Sequence, residues 1–391
     1  MTREAVLVDA VRTPVGKRGG QLSGWHPTDL LAHTLATLVE RTGLAPERLA
    51  DVIVGCAAQR GEQSGNIARN AVLGAGFPES LPGTTLDRQC GSGQQAVHFA
   101  AQAVRSGEYD FAIGAGVESM SRIDLGPLFN PGGPQGDWYG EKALARYDGN
   151  LPAQGLSIEL IVDKWGFTRE QLDEFAAGSH AKAHHATVAG YFADQLVPIE
   201  LKAEDGSASR MTRDEGIRAN IDRARMAALA PVFRPDGVVT AANASQMSDG
   251  AAALLVADRS AAEAAGLRPR ARIVSMAVAA DDPVLQFTAI LPASRKALEQ
   301  SGLSIGDIDL VEVNEAFAPV PMLWQAEFGY PADQLNVNGG SIAIGHPLGS
   351  TGARLLTQLL NELERRGARY GLLTICEGGG MANATIIERL S

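Results

Sequence analysis

An α/β protein built from two related halves is what this 391-residue sequence predicts. Three observations carry that reading. Short apolar strand-like runs alternate with helix-length runs at both ends of the chain. The two ends repeat one another's order of elements, the mark of an internal duplication. The middle, roughly residues 119–245, breaks the pattern.

The elements follow in order. "REAVLVDAV" (3–11) is a short apolar strand. "DLLAHTLATLVERTGLAPERLADVIVG" (29–55) reads as helix, glycine stop, short loop and strand. "TTLDRQCGSGQQAVHFAAQAV" (84–104) turns from strand-like to helix-like at Cys90; the turn "SGEYD" (106–110) and the strand "FAIGAGVES" (111–119) come next. The middle opens on "GPLFNPGGPQGDWYG" (126–140), a Gly/Pro-rich loop, and holds a helix over 168–190 with Thr168 placed to cap it. "DGAAALLVADRS" (249–260) is a strand expected to return to the first half's sheet. In the second half "ASRKALEQSGLSIGDIDLVEVNEA" (293–316) repeats helix, stop and strand, with "SGL" (301–303) answering "TGL" (42–44) and "DLVEV" (309–313) answering "DVIV" (51–54). After "GHPLGSTG" (345–352) come a helix over 353–367 and the strand "YGLLTICEGGG" (370–380). Alternating elements recur by chance in α/β proteins, but the match continues past Cys90 and past "GHPLGSTG" alike. It predicts two halves packed about a pseudo-twofold axis.

A formal net charge of −11 argues against nucleic acid, which needs a positive face. Three cysteines in so long a chain make no disulfide framework, so a reducing compartment is expected. Neither a signal-like start, nor a run of membrane-spanning length, nor a terminal lipidation signal is present, and the expected location is cytoplasmic, with no membrane partner.

Chemistry concentrates in glycine-rich turns. Cys90 stands where a strand becomes a helix, a place that offers free N–H groups and the positive end of a helix dipole, both favouring thiolate. Alone, such a cysteine more often packs than reacts. His346 lies in "NVNGGSIAIGHPLGSTG" (336–352), where core histidines do not ordinarily sit, and an imidazole can take a thiol's proton or donate to an oxyanion. Cys376 ends a strand before Gly378, Gly379 and Gly380. If the halves are duplicates, Cys90 and Cys376 face one cleft beyond the strand ends, where a second thiol can shuttle a proton. Asn314 ends another strand on that side and can orient a water or a carbonyl. Cys56 has no such surround and reads as packing. His180, four residues before His184, forms a possible metal pair, but with no third ligand these histidines and His185 read as a solvated helix face. "GAGVES" (114–119) is a broken dinucleotide fingerprint and is set aside. Arg210, Arg213, Arg218, Arg223 and Arg225 form a local basic cluster that suits either phosphates or surface ion pairs.

With these residues in place the chain resembles the thiolases, the acetyl-CoA acyltransferases, from end to end. The motifs are "DAVRTPVGKRGG" (9–20), "CGSGQQA" (90–96), "NASQMSDGAA" (243–252), "NEAFA" (314–318), "GGSIAIGHPLGSTG" (339–352) and "CEGGG" (376–380), in that order. The resemblance implies two duplicated βαβαβαββ halves in a five-layered α/β/α/β/α arrangement, with a loop domain inserted in the first. It divides the chain into residues 1–118 plus 246–270, the insert 119–245, and 271–391. It implies that Cys90 carries the acyl group as a thioester, that His346 activates it, and that Cys376 is the general acid/base. An oxyanion site made by His346 with a water held by Asn314 is implied, and a second made by the N–H groups of Cys90 and Gly378. Ser245 resembles a pantetheine contact, Ala316 and Phe317 its tunnel wall, and Arg218 a basic residue near the CoA nucleotide. Coenzyme A is then a substrate, no metal or other cofactor is called for, and a homodimer or homotetramer is expected.

There are three departures, and two of them bear on the substrate. Asp87 stands where the family often has Asn. "QFTAILPASRKA" (286–297) and "QGLSIEL" (154–160) replace the methionine- and glycine-rich segments of short-chain thiolases that line the acyl pocket. These segments resemble degradative thiolases of actinobacterial type, some of which take bulky or sterol-derived acyl groups, rather than an acetoacetyl-CoA thiolase working by condensation. A ketosynthase-like condensing enzyme would lack Cys376, and a silent thiolase-like binding protein would lack the nucleophile or the histidine.

Overall fold

A computed structural model of the protein describes residues 3–126, 137–202 and 207–390. Most of the Gly/Pro-rich stretch 126–140 lies outside the described residues.

The first half runs β1 (Ala5–Arg12), β2 (Gly16–Lys17), α1 (Pro27–Thr42), β3 (Asp51–Gly55), α2 (Ile67–Gly74), β4 (Gly83–Leu86), α3 (Ser92–Ser106) and β5 (Phe111–Ser119). The middle contributes α4 (Glu141–Arg146), α5 (Gln154–Trp165), α6 (Arg169–Val188), the hairpin β6 (Ile199–Lys202) with β7 (Ala208–Met211), and α7 (Arg223–Ala227). Strand β8 (Ser248–Asp258) and α8 (Arg259–Ala264) lead to the second half: β9 (Ala271–Ala280), α9 (Ile290–Ser301), β10 (Leu310–Val313), α10 (Pro319–Phe328), α11 (Leu348–Arg366), β11 (Tyr370–Glu377) and β12 (Met381–Arg389).

Strand order reveals the duplication. Across the sheet it is β10-β11-β12-β9-β1-β8-β5-β3-β4, with β2 on β8. In the first half β1 is antiparallel to β8, β8 is antiparallel to β5, β5 is parallel to β3, and β3 is parallel to β4. The second half repeats this: β9 antiparallel to β12, β12 antiparallel to β11, and β11 parallel to β10. The last member has shrunk to one bridge, Leu335 parallel to Val311. As expected, β8 returns after the insert to stand between β1 and β5. The halves join edge to edge where Val6 pairs with Arg272 and Leu7 with Ala271.

Local signals account for the elements. The matched "TGL" and "SGL" are helix stops: Gly43 (φ 66°) caps α1 and Gly302 (φ 70°) caps α9, both in the left-handed region that glycine enters without a Cβ clash. Thr168 caps α6 in a reciprocal capping box with Gln171. Strands β1, β3, β5 and β8 of the first half and β10 of the second are buried on both faces, so they read as nearly continuous apolar runs. One hydrophobic cluster packs α1 and α2 on the outer face of the first half. A second surrounds α3 and α11, sandwiched between residues of both halves such as Val256 and Ile375. A third packs α9 and α10 on the outer face of the second half. Those clusters separate five layers, with the helices that follow Cys90 and His346 in the central one.

The insert is tied down by a buried charge. Arg12, at the end of β1, is fully buried and gives two hydrogen bonds to Asp214 (2.7 and 2.9 Å) and one to Gln195 (2.8 Å). Asp214 also accepts the Val15 N–H (2.8 Å), so neither charge is left unpaired.

Candidate active site

Cys90 sits in a strained turn between β4 and α3. Asp87 accepts the N–H of Gln89 (2.7 Å), and Gln89 takes φ 48°, a left-handed conformation that a non-glycine residue holds only when its surroundings enforce it. Ser92 closes the turn by accepting from the Arg88 N–H (2.9 Å) and donating to the Gln89 carbonyl (2.6 Å). Asp87 therefore has a mechanical role, which an Asn oxygen would fill equally: it builds the corner that delivers Cys90 to the start of α3.

The expected thiolate is not the resting form. The Cys90 thiol is pushed up to about 12, first by burial, then by Glu377 and Asp87. The helix terminus supplies only about half a charge, and removal of water together with two carboxylates outweighs it. Cys376, 1 % exposed at the end of β11, is also pushed well above the usual thiol range, by burial and then by Cys90 and Glu377. The two cysteines come from opposite halves, and the side chain next to Cys376 reaches the backbone next to Cys90. Glu377 follows Cys376 and packs against Gly91: a Cβ there would come within 1.9 Å of its Oε1, so any larger residue beside Cys90 would displace the carboxyl. Burial lifts the Glu377 carboxyl well above its ordinary range.

His346 and Asn314 meet directly. Asn314 Nδ2 is 3.3 Å from His346 Nε2, and both side chains are buried. On the far side of the ring Nδ1 is 2.7 Å from Thr351 Oγ1, which donates its proton to the Pro347 carbonyl (2.9 Å). Thr351 therefore accepts, Nδ1 carries the ring proton, and Nε2 keeps its lone pair. Burial, and then Arg354, lower His346 to about 3, so the ring is neutral. The backbone N–H of His346 is held by the Gln246 carbonyl (3.0 Å) and Ser248 Oγ (3.2 Å). A neutral imidazole with a bare nitrogen, an amide beside it and two thiols can move a proton from sulfur and bind an oxyanion.

Gly378 adjoins glutamine side chains. Gln89 Oε1 and Gln154 Nε2 each lie 3.3 Å from where its Cβ would stand. Gln286, at φ 56°, accepts the Gly379 N–H (3.1 Å) and donates to Ser157 Oγ (3.0 Å) and the Pro152 carbonyl (2.8 Å), tying the "CEGGG" turn to the start of α5. The two segments that depart from short-chain thiolases thus converge on this turn.

Ser245, Ala316 and Phe317 form a second group. The Ser245 N–H donates to the Ala316 carbonyl (2.9 Å), and Phe317 makes edge contacts with Phe233 and Phe287 at centroid distances of 5.7 and 5.6 Å. Arg218 lies elsewhere on the insert, at the rim of a cavity of about 380 Å³ that it lines with His180, Arg225, Met226 and Ala242. The basic cluster divides. Arg210 pairs with Glu200 and Arg223 with Glu174, while Arg218 and Arg225 face the cavity.

His180 corrects the sequence reading. It is 4 % exposed, not solvated; its Nδ1 accepts the Arg218 N–H (3.2 Å), and burial lowers it to about 4. His184 is half-buried and His185 exposed. Among the described residues no group of three or more His, Cys, Asp or Glu is placed to hold a metal ion. Cys56 is fully buried beside Gln63 and Glu118.

Several residues that shape the site carried no individual sequence signal. Glu315, beside Asn314, accepts from Ser179 (2.7 Å), Asn336 (3.0 Å) and the Ile342 N–H (3.2 Å), and so fixes the loop that leads to His346. Gln246 donates to the Ile342 and Ala343 carbonyls (2.8 and 3.0 Å) of the same loop. Their partners are 21 to 136 positions away in sequence, so the bonds are visible only once the chain is folded. Thr351, five residues after His346 and on the next helix, was the one with a local cue.

Comparison with known proteins agrees with this architecture. The thiolase N-terminal domain model matches residues 5–260 and the thiolase C-terminal domain model residues 267–389. A steroid 3-ketoacyl-CoA thiolase of Mycobacterium tuberculosis is 47% identical over 99% of this chain and 94% of its own. A beta-ketoadipyl-CoA thiolase of Escherichia coli is 42% identical over 99% of this chain and 100% of its own. The crystal structure of an acetyl-CoA acetyltransferase of Bacillus anthracis superposes with a TM-score of 0.90 at 38% identity, covering 100% of this chain and 99% of that one.

Proposed function

This chain belongs to the thiolase family, and we propose that it is an acyltransferase that cleaves a 3-oxoacyl-CoA with CoA to acetyl-CoA, or propionyl-CoA, and a shortened acyl-CoA. The observation that carries the proposal is that the neutral His346–Asn314 pair is tied to β11, the strand that carries Cys376, by the Asn314 N–H on the Thr374 carbonyl (3.1 Å), while Glu377 beside Cys376 packs against Gly91 beside Cys90.

In this mechanism Cys90 gives its proton to His346 Nε2 as its sulfur attacks the 3-oxo carbon. The oxygen of that carbon becomes an oxyanion held by the N–H groups of Cys90 and Gly378. The C2–C3 bond then breaks, its electron pair enters the departing thioester as an enolate, and the enolate oxygen is held by His346 with a water on Asn314. Cys376 protonates C2 and releases acetyl-CoA. It then takes the thiol proton of incoming CoA, whose sulfur attacks the acyl-enzyme, and Cys90 recovers its proton from His346. Every charge formed has a partner in the site, which is what selective binding of the transition state requires. The reverse sequence is a Claisen condensation, and an acetoacetyl-CoA thiolase working in that direction is the second reading, favoured by relatives named acetyl-CoA acetyltransferase.

Coenzyme A is a substrate here. Its pantetheine arm passes Ser245, Ala316 and Phe317, and its nucleotide lies towards Arg218; the apolar wall at Phe317 and the arginine-rimmed cavity support this path. We divide the chain into a first half, 1–118 with 246–270, an insert over 119–245 that binds CoA, and a second half, 271–391. A cytoplasmic homodimer or homotetramer is the proposed state, supported by β4, whose outer edge carries no partner strand among the described residues. No described helix is long and apolar enough to cross a membrane.

Mixing the protein with CoA and a series of 3-oxoacyl-CoA thioesters, beginning with acetoacetyl-CoA, and following loss of the enolate absorbance tests the activity. Turnover is expected; no turnover at any chain length overturns the proposal.

A further inference from the structure

We propose that Arg354, a buried residue of α11, is a positioning residue that sets which nitrogen of His346 carries the proton, acting through Ser341 and Asn314. A guanidinium can only donate. Arg354 Nη2 is 2.9 Å from Ser341 Oγ, so the serine oxygen must accept there. Its own proton then goes to its other near partner, Asn314 Oδ1, at 2.6 Å. An Asn314 oxygen committed to Ser341 turns the amide nitrogen towards His346 Nε2, at 3.3 Å. An amide nitrogen also only donates, so Nε2 must offer its lone pair. The ring proton is left on Nδ1, where Thr351 accepts it (2.7 Å).

Each link thus has a direction, anchored at one end by Arg354, which can only donate, and at the other by the Pro347 carbonyl, which can only accept from Thr351 (2.9 Å). With a neutral residue able to accept in place of Arg354, Ser341, Asn314 and His346 could turn around together, at the expense of the single Thr351 bond to Pro347. The reversed chain would put the proton on Nε2 and leave His346 unable to take one from Cys90.

Arg354 is otherwise costly. It is 1 % exposed, and its Nε and Nη1 make no protein hydrogen bond. Arg12, Asp214, Glu312 and Glu315 are the charged groups around it, and none forms a close ion pair with it. A buried cation so weakly paired is poor structural cement; fixing the proton on the base accounts for its presence.

The inference rests on His346 acting as the base, but its test reads the resting protein and needs no turnover. Nitrogen-15-labelled histidine, observed by long-range proton–nitrogen correlation and assigned by loss of the His346 signals in His346→Gln, distinguishes the two neutral forms. The wild type should show protonated Nδ1 and bare Nε2. Ser341→Ala, which interrupts the chain without removing the buried charge, and Arg354→Gln should both shift population to protonated Nε2. In both, kcat should fall about tenfold to a hundredfold, a fraction of what a general base supplies, with KM little changed. Arg354→Lys, still a pure donor, should restore the wild-type tautomer. An unchanged tautomer in Ser341→Ala, or a wild type with its proton on Nε2, overturns the proposal even if Arg354→Gln fails to fold. A wild type with the expected tautomer but no thiolysis would instead sink the functional reading and leave this one standing.

Discussion

Cys90 and His346 are both neutral in the resting protein, and that has a kinetic signature. The thiol is pushed up to about 12 and the imidazole lowered to about 3, so the thiol–imidazole form persists at every pH between. Protons lost by one are gained by the other, so kcat/KM for acylation should stay flat through pH 6–8. A limb near 6.5, the ordinary histidine value, would contradict a buried neutral base. Cys90→Ala should form no acyl-enzyme by intact mass after mixing with 3-oxoacyl-CoA, and persistent acylation would assign the nucleophile elsewhere. Asp87 tests the corner before Cys90. Asp87→Asn keeps the acceptor for the Gln89 N–H and should acylate at a near-normal rate, whereas Asp87→Ala should lose about tenfold, the scale of one hydrogen bond's positioning. Cys90, His346 and Cys376 stand out in the sequence by their glycine-rich turns, which can admit a substrate, and Asn314 by its place at a strand end. Their protonation states were not legible, because burial and the carboxylate of Glu377 are supplied by the fold.

Helices α3 and α11 carry the start of the site, and their crossing is unusually close. A Cβ on Gly352 would stand 2.2 Å from the Gln94 N of α3, too near for any side chain. Gly352→Ala should therefore force the helices apart and lower both the midpoint of urea unfolding and kcat; a variant that keeps both would show that the crossing yields cheaply. Thr168→Ala removes the cap of α6 and should cost about 1 kcal/mol in the same measurement. The helix stops at Gly43 and Gly302 and the cap at Thr168 were readable because capping is local chemistry. The reduction of a strand to the single bridge at Leu335 was not readable, since pairing depends on what the neighbouring strand presents.

At the scale of the whole molecule, substrate choice is the open property. Gln154 faces Gly378 from the insert, so Gln154→Leu should raise kcat/KM for a plain alkyl 3-oxoacyl-CoA relative to one whose acyl chain bears oxygen; an unchanged ratio would remove Gln154 from the acyl pocket. The sequence alone determined the duplicated α/β architecture, the break for the insert and the family, and it singled out the four side chains to which the proposed chemistry is given. Each of these is written in periodicity, glycine stops or a short motif, and each is local. Only the tertiary structure decided that Cys90 rests as a thiol, that Asp87 builds its corner, that His180 is buried against Arg218, and that a chain from Arg354 reaches His346. Those are consequences of burial and of hydrogen bonds between distant segments, and such bonds have a direction and a cost only after the two halves and the insert have closed around them.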